Sequence, residues 1–388
     1  MKDDTKITHS GRHPFEHHGA VNPPVYHAST ILFPSMKEYT ERGDTAKVRY
    51  GRRGTPTTFA LEDALTALEG GAAAGTAIVP SGLAAITMSL MAFVETGDHI
   101  LITDNTYGPT RSFSNGTLAR LGVEAEYYDP QIGGEIEKLI RPNTRLIWLE
   151  SPGSQTFEMQ DVPAITEVAR AKGVVTMIDN TWSGGYYYKP LAHGVDVSVQ
   201  AGTKYIVAHS DVMLGAITSN AETHERVYNS AQSFGACSGP DDIYLALRGL
   251  RTMGVRMPRH HESGLAIARW LQSRPEVIRV MHPGLPQDPG HELWKRDFTG
   301  ASGLFGFVLD SESPVKAAAM IDGMKLHGLG SSWGGFESLL IPAAPGKNRT
   351  ATEWSPGGFT MRIHVGLEDV DDLIADLDAG FDRYNKAD

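Results

Sequence analysis

The chain has 388 residues, 41% of them hydrophobic and 21% charged, with a net charge of -11; that is enough to bury a sizeable core in more than one domain. The acidity excludes a nucleic-acid surface, which needs a basic stripe, and no apolar run nears the roughly 20 residues that span a bilayer. The single Cys237 cannot form an intrachain disulfide and the opening residues lack an apolar signal core, so a cytoplasmic location is the expectation.

Up to residue 55 the chain has little apolar periodicity. His9, His13, His17, His18 and His27 with Pro23-Pro24 read as an extended arm that needs another surface to lie on. Beyond it, short apolar runs alternate with helical patterns. Strands are predicted at 75–80, 99–103, 144–149, 174–178 and 196–199, and helices at 58–69, 83–94 and 162–171, several closed by glycine. Such alternation means a mostly parallel sheet covered by helices. A helix over 241–253 then leads into strands at 279–281, 306–309 and 361–365, which form a smaller α+β unit. The last helix, 370–384, carries Asp371, Asp372, Asp376 and Asp378, read as a solvated face. The expected division is 1–55 arm, 56–245 large domain and 246–388 small domain.

In an open α/β sheet, ligands sit beyond the carboxyl ends of the strands. Two predicted strands deliver a carboxylate, Asp179, and an amine, Lys204, to that edge. This is the pair that pyridoxal phosphate (PLP) chemistry needs: the lysine holds the cofactor aldehyde as a Schiff base, and the acid keeps the pyridine nitrogen protonated. Alone the pair is weak, because a lysine beside a strand is usually a solvated surface group. The small-residue turn Ser81-Gly82-Leu83 between a strand and a helix suits a phosphate, and an ordinary glycine turn reads equally well there. Thr203 could add a hydroxyl. Tyr50-Gly51-Arg52-Arg53-Gly54 could supply a guanidinium, from the arm of a neighbouring subunit. Histidine doublets such as His17-His18 and His260-His261 point to different helix faces, so no metal site is expected.

These residues, with Glu150-Ser151-Pro152-Gly153-Ser154, Asp179-Asn180-Thr181-Trp182, His209-Ser210-Asp211, Ser332-Trp333-Gly334-Gly335 and Arg362-Ile363-His364-Val365-Gly366-Leu367-Glu368-Asp369, resemble the PLP-dependent Cys/Met-metabolism family over essentially the whole chain. The resemblance implies PLP fold type I, with a mostly parallel seven-stranded sheet in the large domain and a smaller C-terminal α+β domain. It implies Lys204, Tyr107 and Tyr50 as catalytic residues. Lys204, Asp179, Gly82, Leu83, Tyr107, Thr203, Tyr50 and Arg52 would bind the cofactor, the last two from the partner subunit. Arg362 would clamp the substrate carboxylate, and Ser332, Trp333 and Tyr107 would line the pocket.

The resemblance further implies carbon–sulfur β-elimination from L-cystathionine, giving homocysteine, pyruvate and ammonia, with cystine or cysteine conjugates as further substrates. Family members acting at the γ-carbon typically carry Asn-Pro where Gly153-Ser154-Gln155 follows the Glu-Ser-Pro motif, and leucine where Trp333 stands. A γ-lyase of the same family is the alternative activity, and a non-catalytic PLP-binding regulator the alternative of another class. Two positions depart from the family pattern: Ala201 replaces a phosphate-binding serine, and Ala208 the glycine before His-Ser-Asp. The expected assembly is a homotetramer, a dimer of dimers, acting on a small amino-acid substrate.

Overall fold

The computed structural model describes residues 1–42 and 45–387. Seven strands form the main sheet: β1 (Gly75–Val79), β2 (His99–Thr103), β3 (Glu124–Tyr128), β4 (Thr144–Glu150), β5 (Val175–Asp179), β6 (Val197–Ala201) and β7 (Gly215–Ser219), in the order β1-β7-β6-β5-β4-β2-β3. β7 pairs antiparallel with both neighbours, while β6, β5, β4, β2 and β3 pair in parallel. The fold is therefore mostly parallel α/β, as expected. The central strands are almost wholly buried, with Ile, Leu, Val and Met prominent, because helices cover both faces. Helix Gly82–Met91 packs on one face with Ile86, Leu90, Trp148 and Val199, and helix Val162–Ala171 on the other with Ile165, Leu149 and Ile178.

A second sheet, wholly antiparallel, is built from β8 (Val277–Met281), β9 (Leu304–Leu309), β10 (Leu339–Pro342) and β11 (Thr360–His364), in the order β10-β11-β9-β8. It shares a core with helices Met253–Gln272, Pro314–Ile321 and Val370–Lys386 through Phe305, Ile363, Leu271, Met320 and Phe381.

Several expectations need correcting. The arm is not extended throughout: it opens with helix Asp3–His9, whose Ile7 is fully buried beside Leu61 and Met253 of the same chain, and it contains helix Met36–Arg42. Strands β3, β7 and β10 were not read from the sequence. β3 reads Glu-Ala-Glu-Tyr-Tyr and lies at the sheet edge, so it lacks an apolar run. Helix Met253–Gln272 holds Pro258 inside it, which masks its period. Asp376 does not belong to a solvated face. It is buried and accepts hydrogen bonds from the amides of Lys325, Leu326 and His327, at 2.9, 2.9 and 3.1 Å, and lies 3.0 Å from His327 Nδ1.

Candidate active site

The carboxyl ends of the parallel strands converge on one edge. β5 ends at Asp179 and β4 at Glu150, which are directly paired in register. β6 ends at Ala201, three residues before Lys204, whose amide donates back to Ala201 O at 3.0 Å. β2 ends at Thr103 and leads through Asp104 to Tyr107, the residue preceding helix Gly108–Phe113. Thr181 stitches β5 to β6: its hydroxyl donates to Asp179 Oδ1 at 2.5 Å and accepts from the Ala201 amide at 2.9 Å.

Gly82 faces the same edge. A Cβ there would lie 2.5 Å from Ala201 Cβ, so only glycine lets the helix start approach β6 this closely. The amides of Gly82 and Leu83 begin helix Gly82–Met91, where they have no intrahelical acceptor, and Ser81 caps the turn by accepting from the Ala84 amide at 3.1 Å. A small-residue helix start with free amides is a phosphate site in form.

Residues from the second sheet and the segment before β10 lie over Lys204. Lys204 Nζ donates to Ser332 Oγ at 2.5 Å and lies 5.3 Å from the Trp333 ring centroid. Arg362, on β11, donates from Nη2 to Ser332 O at 3.1 Å. Gly334, with φ +86°, lies against the Lys204 backbone, a conformation and an approach that both require glycine. Ala208 occupies a left-handed φ of +63°, which explains why glycine is the usual family residue there. The loop between β10 and β11 adds a clasp onto the main sheet. Asp104, fully buried, accepts from the amides of Thr350, Ala351 and Thr352 at 2.9, 3.0 and 2.7 Å, and from Arg111 at 2.6 Å. Arg349 of the same loop pairs with Glu158.

Electrostatics follow from this enclosure. Burial, with the nearby Arg362 guanidinium, pulls the Lys204 amine down to about 8, against an opposing pull from Asp179. Burial pushes the Asp179 carboxyl up despite its Thr181 hydrogen bonds. Glu150 is raised further, by burial and by the neighbouring Asp179 charge. Burial also raises the Tyr107 phenol, with Asp179 and Glu150 adding to the effect, and lowers Arg362 to about 10.

PLP fits these residues. A partly neutral lysine suits an aldehyde, an enclosed carboxylate with no salt bridge among the described residues calls for a protonated ring nitrogen, and the helix start suits a phosphate. Lys204, Asp179, Tyr107, Gly82, Leu83, Arg362, Ser332 and Trp333 thus belong to one region. Three further expected residues, Thr203, Tyr50 and Arg52, are engaged differently. The Thr203 hydroxyl is engaged with the backbone of Leu214, accepting from its amide at 3.0 Å and lying 3.2 Å from its carbonyl. Arg52 donates to Gln232 O at 2.9 Å on helix His224–Ser233 of the same chain, and Tyr50 is half exposed. Sequence reasoning missed Glu150, which accepts from the Tyr107 amide at 2.7 Å, and His364, which accepts from the Gly334 amide at 3.1 Å.

Known proteins resemble this chain in sequence and fold. A family model described as Cys/Met metabolism PLP-dependent enzyme matches residues 4–382. Cystathionine beta-lyase MetC of Escherichia coli is 46% identical, covering 98% of this chain and 98% of its own. Cystathionine beta-lyase of Salmonella typhimurium is 45% identical, again with 98% of each covered. Among solved structures, metB from Corynebacterium glutamicum superposes with a TM-score of 0.89 at 31% identity, covering 98% of both chains. With a lysine, a carboxylate and a phosphate-ready helix start gathered at one sheet edge, the chain belongs to the Cys/Met-metabolism family of PLP-dependent enzymes.

Proposed function

We propose that this chain is a carbon–sulfur β-lyase that cleaves L-cystathionine to homocysteine, pyruvate and ammonia. The carrying observation is the tethering of Lys204: its amine is held by Ser332 Oγ at 2.5 Å, beside Trp333, with the Arg362 guanidinium fixed on the same serine's carbonyl. PLP, when bound, supplies a ring that takes up the electron pair left at the substrate's α-carbon.

The chain's own residues do the rest. Lys204 would carry the cofactor aldehyde, and its amine, which burial and Arg362 bring down to about 8, would serve as the base that takes the α-proton. Asp179 would keep the ring nitrogen protonated. Tyr107 would cover the ring, and the amides of Gly82 and Leu83 would hold the phosphate. Arg362 binds the substrate carboxylate and so aims the α-hydrogen at Lys204. β-Elimination asks for one proton from Cα and expulsion of the thiolate from Cβ. γ-Elimination asks for a second proton from Cβ and a base that travels. A lysine pinned by Ser332 and walled by Trp333 favours the first.

Tyr50 and Arg52 belong, in this reading, to the phosphate site of a neighbouring subunit. The arm exposes Phe15, Leu32, Met36 and Tyr39, which are 97, 87, 74 and 60% accessible; apolar surface of this kind marks a contact between chains. A dimer of dimers with residues 1–55 as arm, 56–245 as large domain and 246–388 as small domain fits this, and the reading keeps a cytoplasmic location. No helix among the described residues is long and apolar enough to cross a membrane. The test is product analysis on purified, PLP-loaded protein given L-cystathionine. Pyruvate with homocysteine is expected; 2-oxobutyrate with cysteine would make the enzyme a γ-lyase.

A further inference from the structure

β11 carries Arg362 and His364 two residues apart and therefore on one face, and both grip the same loop. Arg362 donates to Ser332 O at 3.1 Å, and the Gly334 amide donates to His364 Nε2 at 3.1 Å. The first anchor falls on Ser332 itself, whose φ of +94° is costly for a residue with a side chain and persists only where the surroundings enforce it. Its Oγ is the acceptor for Lys204 Nζ. Releasing either anchor lets Ser332 relax and takes the Lys204 acceptor with it.

The bond to Gly334 fixes the state of the ring. His364 and Gly334 are both buried, and an amide N–H needs a bare nitrogen to accept it, so the ring proton lies on Nδ1. The other neutral tautomer would donate from Nε2 to Gly335 O, 3.2 Å away, and leave the buried Gly334 amide unpaired, whereas the Nδ1–H form leaves its own buried N–H without a partner among the described residues; each form leaves one buried donor unpaired, and the Gly334 bond at 3.1 Å is the shorter of the two. Tyr205 and His260 close the ring from solvent, with centroids 6.0 and 5.4 Å from it. Burial, with His260, Arg362 and Lys204 nearby, keeps the imidazole uncharged.

We propose that His364 is a positioning residue for the elimination: as a neutral acceptor it fixes the Ser332–Gly335 loop, and through Ser332 it sets where the Lys204 amine sits. For turnover this rests on the β-lyase reading; for the state of Lys204 it stands by itself.

Three variants test it. Gln can place an acceptor oxygen near the position of Nε2, Leu has none, and Asn is too short to reach. Each PLP-loaded protein is measured for kcat and KM on L-cystathionine and for the pH midpoint of the visible cofactor absorbance change, and each cofactor-free protein for its rate of PLP uptake. His364→Leu and His364→Asn are expected to lose about tenfold in kcat, with KM within about twofold, to shift the midpoint and to slow uptake. His364→Gln is expected to recover most of all three. In a Ser332→Ala background, His364→Leu is expected to add nothing, because its effect passes through that hydroxyl.

Equal impairment of Gln and Leu, wild-type behaviour of Leu, or multiplicative effects with Ser332→Ala would overturn the assignment. If the Leu variant does not fold, the Asn and Gln pair decides by the same criteria. A wild-type protein that releases no pyruvate sinks the β-lyase reading instead, while midpoints and uptake rates still decide the role of His364.

Discussion

Lys204 is half-buried beside Arg362, and both circumstances disfavour its charged form. The sign of the consequence is fixed by linkage. Between about pH 8 and the ordinary lysine value near 10, the unfolded chain binds the proton that the folded chain has released, so stability from this group rises with pH across that window. Below it both states are protonated, and the full cost of enclosing the charge is present. Cofactor-free Lys204→Met is therefore predicted to melt above the cofactor-free wild type at pH 7, with the gap closing towards about pH 10. Thermal melts at both pH values check this; a constant gap would contradict it. Lys204 and Asp179 were legible in the sequence because α/β alternation puts strand ends at one edge. Glu150 and His364 were not, since their partners, Tyr107 and Gly334, lie 43 and 30 residues away and neither has a spacing that marks it.

Among elements, the clasp from the β10–β11 loop onto Asp104 ties the two sheets together just before β11 delivers Arg362. Burial opposes the Asp104 charge, but hydrogen bonds from Thr350, Thr352 and Arg111 outweigh it and hold the carboxyl below its ordinary value. Its contribution to stability is thus complete above the ordinary carboxylate pKa and is lost as pH falls through the depressed folded value. Asp104→Asn leaves Arg111 buried without its counter-charge, and about 3 kcal/mol or more of stability should go with it. KM for the substrate should rise too, as Arg362 loses its fixed approach. Calorimetry and steady-state kinetics check both; an unchanged melting temperature would show that the clasp is incidental. None of this was visible in the sequence: Asp104 follows a strand like many loop acids, and its partners lie about 246 residues further on. The buried strands and helices such as Val162–Ala171 were legible because apolar period and glycine or proline boundaries agree there. Edge strand β3 and the helix holding Pro258 were not, because in each a local signal contradicts the element it forms.

At the scale of the whole molecule, the proposal gives the arm the task of coupling the site to assembly. If Arg52 serves a neighbour's phosphate, Arg52→Ala should raise the PLP dissociation constant about tenfold or more, measured by equilibrium dialysis, while subunits still associate; unchanged affinity would confine Arg52 to its Gln232 contact. The domains, the arm and Lys204 belong to one account only if the cofactor bonds where the two sheets meet. Borohydride reduction of the PLP-loaded protein followed by peptide mass mapping tests that claim most directly. The account predicts one reduced pyridoxyl adduct, on the peptide containing Lys204. A label on another lysine, or none at all, would contradict it.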